Sequence, residues 1–186
     1  SLHDALPISS GALAAGLAAQ QIRAGALDAC FTGGVDVILN NSTLSAWCAL
    51  RVLSRREDPT ACRPFSADRD GLVLAEGCAV LLLEEMESAR RRGARVRAEL
   101  LGVGATNDAT SVVAPDFQGE LECVAAALAD AGVAPDAIDY VNAHGTGTPA
   151  NDANETRVLK ALFGARARAV PVSSLKGHLG HAMGAA

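Results

Sequence analysis

Aromatic residues are scarce in this sequence. Trp, Tyr and Phe make up 3% of its 186 residues, so any core must be built mainly from Ala, Val and Leu. Such small side chains allow helices and strands to pack closely, and the 18 glycines permit many tight turns. Hydrophobic residues make up 49% of the chain, which excludes a disordered segment and favours a globular protein.

Several other features are absent. The five cysteines form no Cys-X-X-Cys pair, so we predict neither a disulfide framework nor a zinc site and expect a reducing, cytoplasmic setting. No apolar run reaches membrane-spanning length. The net charge of −5 argues against a nucleic-acid surface. The basic cluster at residues 90–97 follows three glutamates, which indicates a solvated helix with ion pairs or, alternatively, a docking patch for an acidic partner.

Helical and strand-like segments alternate along the chain, which predicts an α/β layered fold with helices covering a mixed sheet. The continuous apolar run at residues 78–83 is typical of a strand covered on both faces. We predict helices at residues 10–24, 43–53, 85–92, 119–131 and 152–163, another helix starting at His181, and strands at 28–33, 78–83, 97–106, 138–143 and 169–172.

The first candidate functional stretch is Asn-Ala-His-Gly-Thr-Gly-Thr-Pro at residues 142–149. It follows a predicted strand, where α/β folds place ligands, and its glycines permit close approach of a ligand to the backbone. Thr146 and Thr148 occupy alternate positions and could direct two hydroxyls into one channel beside His144. A plain strand-to-helix loop with a hydrogen-bonded histidine explains this stretch equally well.

The second stretch, residues 173–181, contains Lys176 and His181. A histidine at the start of a helix lies at the positive end of the helix dipole, which disfavours its protonated form and leaves a neutral hydrogen-bond donor. A surface loop with incidental basic residues is the alternative. A metal site made of His178, His181 and Glu155 fits no standard ligand spacing.

Glu155 is the third candidate, because it shares the predicted apolar face of its helix and should point inward. A buried carboxylate needs a cationic or hydrogen-bonding partner, and Lys176 is one candidate. The alternative is a capping arrangement with Asp152 as N-cap and Glu155 at the third helical position.

Taken together, these motifs resemble the elongating β-ketoacyl-acyl-carrier-protein synthases, the condensing enzymes of fatty-acid and polyketide assembly. The resemblance covers residues 9–186, and the motifs occur in the family's order. They are Ser-Ser-Gly at 9–11, Phe-Thr-Gly-Gly-Val-Asp at 31–36, Arg-Pro-Phe-Ser-Ala-Asp-Arg-Asp-Gly at 63–71, Glu-Gly at 76–77, His-Gly-Thr-Gly-Thr-Pro at 144–149 and Lys…Gly-His at 176–181.

The resemblance implies a thiolase-like αβαβα fold and a Cys–His–His site. In this family a cysteine holds an acyl chain as a thioester, and a malonyl group on a carrier protein decarboxylates and attacks it in a Claisen condensation. By motif, His144 and His181 would stabilise the enolate oxygen. Lys176 would pair with Glu155 and tune the electrostatics of the site.

The resemblance also implies the partners of the site. Thr146 and Thr148 would contact the phosphopantetheine arm of acyl carrier protein, and no further cofactor or metal is expected. A homodimer, or a heterodimer with a related subunit, is the family arrangement, with residues 28–34 as the edge strand. Asn151 stands where the commonest fatty-acid synthases have glycine, which leaves a polyketide or polyene pathway open.

The family's nucleophilic cysteine should directly precede the Ser-Ser-Gly turn, but Ile8 occupies that position. Residues 1–8 resemble one translated frame of a short-read sequencing adapter, and we expect them to be an artefact that replaced the cysteine codon. We expect residues 9–92 to be the remainder of an N-terminal half and 93–186 to be a C-terminal half that is truncated at its end. The chain as written should be inactive.

Three alternatives remain open. A chain-length-factor-like subunit would lack the cysteine and be non-catalytic, but it would have no need to keep His144, Lys176 and His181. A thiolase-type acyltransferase would differ around its histidines, and the sequence after His144 disfavours it. A purely structural or binding α/β domain explains the composition but leaves the ordered motifs unexplained.

Overall fold

The computed structural model describes residues 9–109, 111 and 114–185. This part of the chain forms two compact units that interleave along the sequence. The first unit comprises residues 9–37, 76–101 and 182–185, and the second comprises 38–75 and the described part of 102–181. The predicted division at residue 93 between two halves stays a prediction.

The first unit is a helix packed on an antiparallel two-stranded sheet. Helix α1 (Ser10–Arg23) packs on strand β1 (Ala29–Asp36), which pairs with β2 (Gly77–Glu84) over its whole length. Short helix α3 (Met86–Arg91) follows β2. The residues that α1 buries are small, namely Gly16, Ala18 and Ala19, and this agrees with a core built from small side chains.

Glycines set the spacing between the backbone segments of the first unit. A Cβ on Gly34 would lie 1.9 Å from the carbonyl oxygen of Gly184, and a Cβ on Gly11 would lie 2.4 Å from the same oxygen. The Gly184 N–H in turn donates to the Asp36 carboxylate at 2.6 Å. The start of α1, the end of β1 and residues 183–185 therefore meet at distances that only glycine permits.

The sequence predicts that strand β2 is covered on both faces, but in the structure much of it is exposed. Val80, Leu81 and Leu82 are 64%, 56% and 49% exposed. Among the described residues, β1 is its sole ladder partner, so most of its apolar surface faces outward. The identification of residues 78–83 as strand is confirmed, but their predicted burial is wrong for the chain as described.

The second unit carries more helix than sheet. Its helices are α2 (Asn41–Ala49), α4 (Phe117–Ala131), α5 (Pro149–Phe163) and α6 (Lys176–Leu179), and its parallel strands are β3 (Val141–Asn142) and β4 (Val172–Ser173). Single 3₁₀ turns follow α4 and α5. Gly132 ends α4 in the left-handed conformation with φ of 64°, as the sequence predicts.

Four predicted elements differ from the structure. The strand expected at 97–106 forms no ladder within the described residues, although its second part runs close to α4. A Cβ on Gly104 would lie 2.1 Å from the Cys123 carbonyl oxygen, so this segment abuts the helix backbone directly. The last two predicted strands are reduced to β3 and β4, and α2 ends at Ala49 rather than at residue 53. No helix in the described part is long and apolar enough to cross a membrane.

Candidate active site

The loop that carries His144 is held in place by the end of β3 and the start of α5. The Ala143 N–H donates to the Ser173 carbonyl at 2.7 Å and continues the parallel pairing beyond β3. The next two N–H groups, those of His144 and Gly145, donate to the two oxygens of the Glu155 carboxylate at 2.6 Å and 2.8 Å. A single side chain on α5 therefore fixes the backbone on which the first histidine stands.

His181 lies in an extended segment after α6, and its side chain is 1% exposed. Its N–H donates to the Val73 carbonyl at 2.7 Å, and its carbonyl accepts from the Ala75 N–H at 3.0 Å. The prediction that His181 starts a helix is wrong, since residues up to Ala182 are not helical and only a 3₁₀ turn, Met183–Ala185, follows. His181 therefore does not lie at the positive end of a helix dipole.

The two histidine rings meet edge to face. Their centroids are 5.3 Å apart and their planes are inclined by 82°. Desolvation, and then the Lys176 ammonium, lowers the pKa of His144 to about 4, although this side chain keeps an exposed face. Burial, then His144 and Lys176, lowers the pKa of His181 to about 3. Both rings are therefore neutral at pH 7, and each carries one N–H donor.

Lys176 and Glu155 are both buried, at 8% and 7% exposure. Burial lowers the pKa of the lysine, and the nearby Glu155 charge opposes that shift. Burial likewise raises the pKa of Glu155, and the two backbone N–H donors oppose the rise. Among the described residues no direct ion pair joins these two side chains, so the predicted pairing is an interaction at longer range and Glu155 is satisfied mainly by backbone N–H groups.

Thr146 and Thr148 lie side by side, with their hydroxyl oxygens 2.8 Å apart. Gly147 between them has φ of 82°, and a Cβ there would lie 2.9 Å from the Gly71 carbonyl oxygen. Thr148 is the N-cap of α5, and its hydroxyl accepts the Asn151 N–H. The alternative in which Asp152 caps the helix is therefore wrong, because the helix begins three residues earlier.

Asp152 is a site residue that the sequence analysis did not assign. Its carboxylate is 1% exposed and accepts the Phe65 N–H at 2.7 Å and the Gly147 N–H at 3.2 Å. The Arg69 Nε lies 3.5 Å from the same carboxylate. Its spacing from Glu155, three residues on one helix, was a signal that both carboxylates face inward.

Arg69 and Phe65 connect the 63–71 segment to the His144 loop. The Arg69 guanidinium donates to the carbonyls of Thr148 at 3.3 Å and Pro149 at 3.0 Å. Phe65 adopts φ of 62°, which is unusual for a bulky residue and is held by the bond to Asp152. The sequence pointed to this segment only by resemblance, because its role depends on contacts about 80 residues away.

The predicted nucleophile position, Ile8, lies outside the described residues. The structure shows that Ser9 is the N-cap of α1, without a capping bond from its side chain. All five cysteines are free thiols, and burial raises the pKa of the Cys62 thiol. Within the described ranges no cluster of His, Cys, Asp or Glu could hold a metal ion. His178, which the sequence analysis considered as a metal ligand, is exposed.

Two family models match the chain in sequence order. The β-ketoacyl synthase N-terminal domain matches residues 8–89, and the β-ketoacyl synthase C-terminal domain matches residues 97–186. Together they span almost the whole sequence.

Individual relatives agree with these models. Nodulation protein E from Rhizobium leguminosarum bv. trifolii is 47% identical over 169 residues, which are 91% of this chain and 41% of that protein. The 3-oxoacyl-[acyl-carrier-protein] synthase 2 of Staphylococcus aureus is 41% identical over 180 residues, 95% of this chain and 45% of the relative. The chain thus spans less than half the length of the curated relatives it matches.

Solved structures give the fold. A ketosynthase complex, described as a type II PKS acyl-carrier protein with its ketosynthase bound to the hexaketide, superposes with a TM-score of 0.91 at 38% identity, covering 96% of this chain and 45% of that chain. A ketosynthase in complex with its chain length factor from Xenorhabdus doucetiae gives 0.82 at 34% identity, covering 96% and 41%.

These likenesses define the class as the thiolase-like condensing enzymes, and they confirm the predicted fold class. Within that class the chain belongs to the β-ketoacyl synthase family, whose relatives include 3-oxoacyl-acyl-carrier-protein synthases, a group of acyltransferases.

Proposed function

We propose that this chain carries the decarboxylation centre of a β-ketoacyl-acyl-carrier-protein synthase. The supporting observation is the pair of neutral imidazoles, 5.3 Å apart, with one ring buried and the other open at one face. Two neutral N–H donors on adjacent rings suit an oxygen on which negative charge develops during a reaction.

In the proposed reaction, the thioester oxygen of a malonyl group on carrier protein accepts hydrogen bonds from His144 and His181. The bond between the malonyl carboxylate and the neighbouring carbon breaks, carbon dioxide leaves, and the electron pair forms an enolate. The enolate carbon then attacks the acyl thioester on the cysteine, and the cysteine sulfur leaves as a thiolate. The hydrogen bonds from the two histidines strengthen as the enolate oxygen becomes negative, and this lowers the activation barrier for decarboxylation.

The other predicted residues support this centre. Glu155 holds the His144 backbone, and the Lys176 charge adds to the burial that keeps both rings neutral. Thr146 and Thr148 are proposed to contact the phosphopantetheine arm, with at least one hydroxyl lone pair free beyond their mutual bond. No cofactor or metal takes part in the proposed reaction.

The nucleophile of the proposed enzyme is a cysteine in place of Ile8, directly before Ser9 at the start of α1. Such a position lowers the pKa of a thiol, because the helix N-terminus stabilises the thiolate. Resequencing the gene across the Ile8–Ser9 junction tests this assignment. A cysteine codon before Ser9 supports a catalytic synthase, whereas a different residue in genuine upstream sequence favours the alternative function below.

The proposed partners are acyl carrier protein and a second ketosynthase-type subunit. Support comes from the two solved relatives, one described in complex with an acyl-carrier protein and the other with a chain length factor. Whether the second subunit is an identical copy is a matter for measurement of the mass of the native assembly.

The alternative function is a chain-length-factor-like subunit without catalytic activity. The observation in its favour is the absence of cysteine before Ser9 in the sequence as it stands. The observation against it is the pair of His144 and His181 rings, 5.3 Å apart and influenced by the Lys176 charge, which a non-catalytic subunit does not require.

A chimera separates the two functions. Residues 9–185 replace the matching segment of the Staphylococcus aureus synthase, which supplies the remaining chain, and release of carbon dioxide from malonyl-carrier protein is measured. We expect release, and His144→Ala should lower it by about 100-fold because one oxyanion donor is lost. His178→Ala is the matched control and should leave the rate unchanged. A folded chimera that releases no carbon dioxide contradicts the proposed function.

A further inference from the structure

The two histidine motifs are joined by one hydroxyl group. Parallel pairing of β3 with β4 ends where the Ala143 N–H donates to the Ser173 carbonyl. At the next position the backbones no longer pair, and the Ser174 Oγ instead donates to the Gly145 carbonyl at 2.9 Å, with the His144 carbonyl at 3.3 Å as a second acceptor. The same oxygen accepts the Lys176 N–H at 3.3 Å.

This hydroxyl completes a clamp on the backbone of the His144 loop. The N–H groups of His144 and Gly145 are held by the Glu155 carboxylate, as described above. The carbonyl groups of the same two residues face Ser174. In both residues, the N–H group is therefore held by a side chain of α5 and the carbonyl group by a side chain of the segment before α6.

Gly145 leaves no free space beside this contact. A Cβ on Gly145 would lie 2.5 Å from the Ser174 Cβ and 2.9 Å from the Phe65 ring, and its φ is 44°. The serine side chain thus fits against a bare backbone and cannot move toward it. A small displacement of the Ser174 side chain should therefore displace the backbone of His144 as well.

We propose that Ser174 is a positioning residue for condensation: its hydroxyl locks the His144–Gly145 backbone to the Lys176 segment and so sets the direction of the His144 ring. This proposal rests on the proposed function for its catalytic meaning, but the contact itself does not. Ser174 acts through His144 and does not touch the substrate.

The first test uses a matched pair of substitutions in the full 186-residue chain. Ser174→Thr and Ser174→Val add the same methyl group, but only threonine keeps the hydroxyl. Ser173→Ala is the neighbouring control, since the Ser173 side chain bonds Tyr140 and its carbonyl pairing with Ala143 does not depend on the side chain. The pH titration and tautomer of each imidazole are followed by NMR.

We expect Ser174→Val to raise the pKa of His144 toward its ordinary value by about one unit, because a loosened loop admits water to the ring. Ser174→Thr and Ser173→Ala should leave the His144 titration near that of the unsubstituted chain. Identical titrations for the Val and Thr variants overturn the proposal, because the pair differs only in the hydroxyl. The comparison holds even when both variants are less stable than the parent chain.

The second test places the same variants in the synthase chimera. Ser174→Val should lower carbon dioxide release about five- to tenfold relative to Ser174→Thr, the effect of one lost hydrogen bond on ring placement. Equal rates overturn the positioning role. An unsubstituted, folded chimera without activity contradicts the proposed function, while a hydroxyl-dependent His144 titration still supports the contact. The two failures are therefore distinguishable.

Discussion

The interiors of the two units are packed in different ways. The first unit brings backbones together through glycine and alanine, and it leaves the apolar side chains of β2 exposed. Its Thr32 hydroxyl is buried with no partner among the described residues, beside an open groove of about 760 Å³ between α1 and the sheet. The second unit buries charged and polar side chains and gives the Asp152 and Glu155 carboxylates two backbone donors each.

The two units should therefore tolerate different kinds of substitution. Close contacts between small residues tolerate almost no added volume, but they carry no charge and no proton chemistry. A buried polar network tolerates almost no lost partner, because an unpaired charge in the interior is costly. The histidine, lysine and carboxylate groups of the proposed site lie in the second kind of packing.

Removal of the buried carboxylate of Asp152 should give the largest effect. Asp152→Ala leaves the Phe65 and Gly147 N–H groups and the Arg69 guanidinium without their partner, and we expect a loss of about 3–5 kcal/mol in the free energy of unfolding. Denaturant unfolding measures it. Asp136→Ala is the matched control: its ion pair with Arg166 is 87% exposed on the aspartate side, so about 0–1 kcal/mol is expected. Equal losses would contradict the network described here.

The neutral histidines predict a dependence of stability on pH. The folded pKa values, about 4 for His144 and about 3 for His181, lie below the ordinary value of 6.5, so the unfolded chain binds more protons between these limits. Stability is therefore complete above pH 6.5 and falls as the pH drops toward 3. The His181 contribution should be on the order of a few kcal/mol.

Unfolding of the chain and of His181→Gln across pH 3–7 measures this dependence. The variant should show a smaller fall in stability between pH 6.5 and pH 4, and His144 accounts for part of the fall that remains. A variant as sensitive as the parent chain in that range would show that His181 is not held neutral by the fold.

A single methyl group should break the packing of the first unit. Gly34→Ala places a Cβ 1.9 Å from the Gly184 carbonyl oxygen, and the backbone must shift to accept it, so we expect a loss of about 3 kcal/mol. Gly25→Ala is the control, since its Cβ meets nothing within 4 Å and only its φ of 71° is unfavourable. Thermal unfolding should show about 1 kcal/mol there. A similar cost at both sites would mean that the backbone around Gly34 accommodates the added Cβ and that close approach does not require glycine there.

The smallest expected change in stability comes from truncating apolar side chains, and it should be larger for a buried residue than for an exposed one. Val158 on α5 is 1% exposed, and Val158→Ala should cost about 2 kcal/mol, from lost burial and the cavity that remains. Leu81→Ala on β2 removes a larger side chain that is 56% exposed, and it should change stability by about 0.5 kcal/mol. Chemical denaturation of both variants compares them directly. A larger loss at Leu81 would mean that β2 is covered in solution.

Prediction from sequence succeeded for most of the helices, whereas the roles of the site residues stay a prediction. The apolar stripe and Gly132 located α4 well, and α1 was placed within one residue at its end. The sequence failed for strands of two residues and for the segment at 97–106, because strand pairing depends on partners distant in the chain. Periodicity alone cannot report whether such a partner is present.

The sequence by itself determined which groups are candidates for the proposed site: His144, His181, Lys176 and an inward-facing Glu155 are visible as residue types in ordered motifs. Only the tertiary structure decided what each group contacts. Glu155 holds two backbone N–H groups in preference to a direct ion pair, Asp152 bonds a segment 87 residues away, and His181 is neutral because it is buried, not because it starts a helix. The physical reason is that motifs fix chemistry, whereas desolvation and hydrogen-bond partners arise only when distant segments come together.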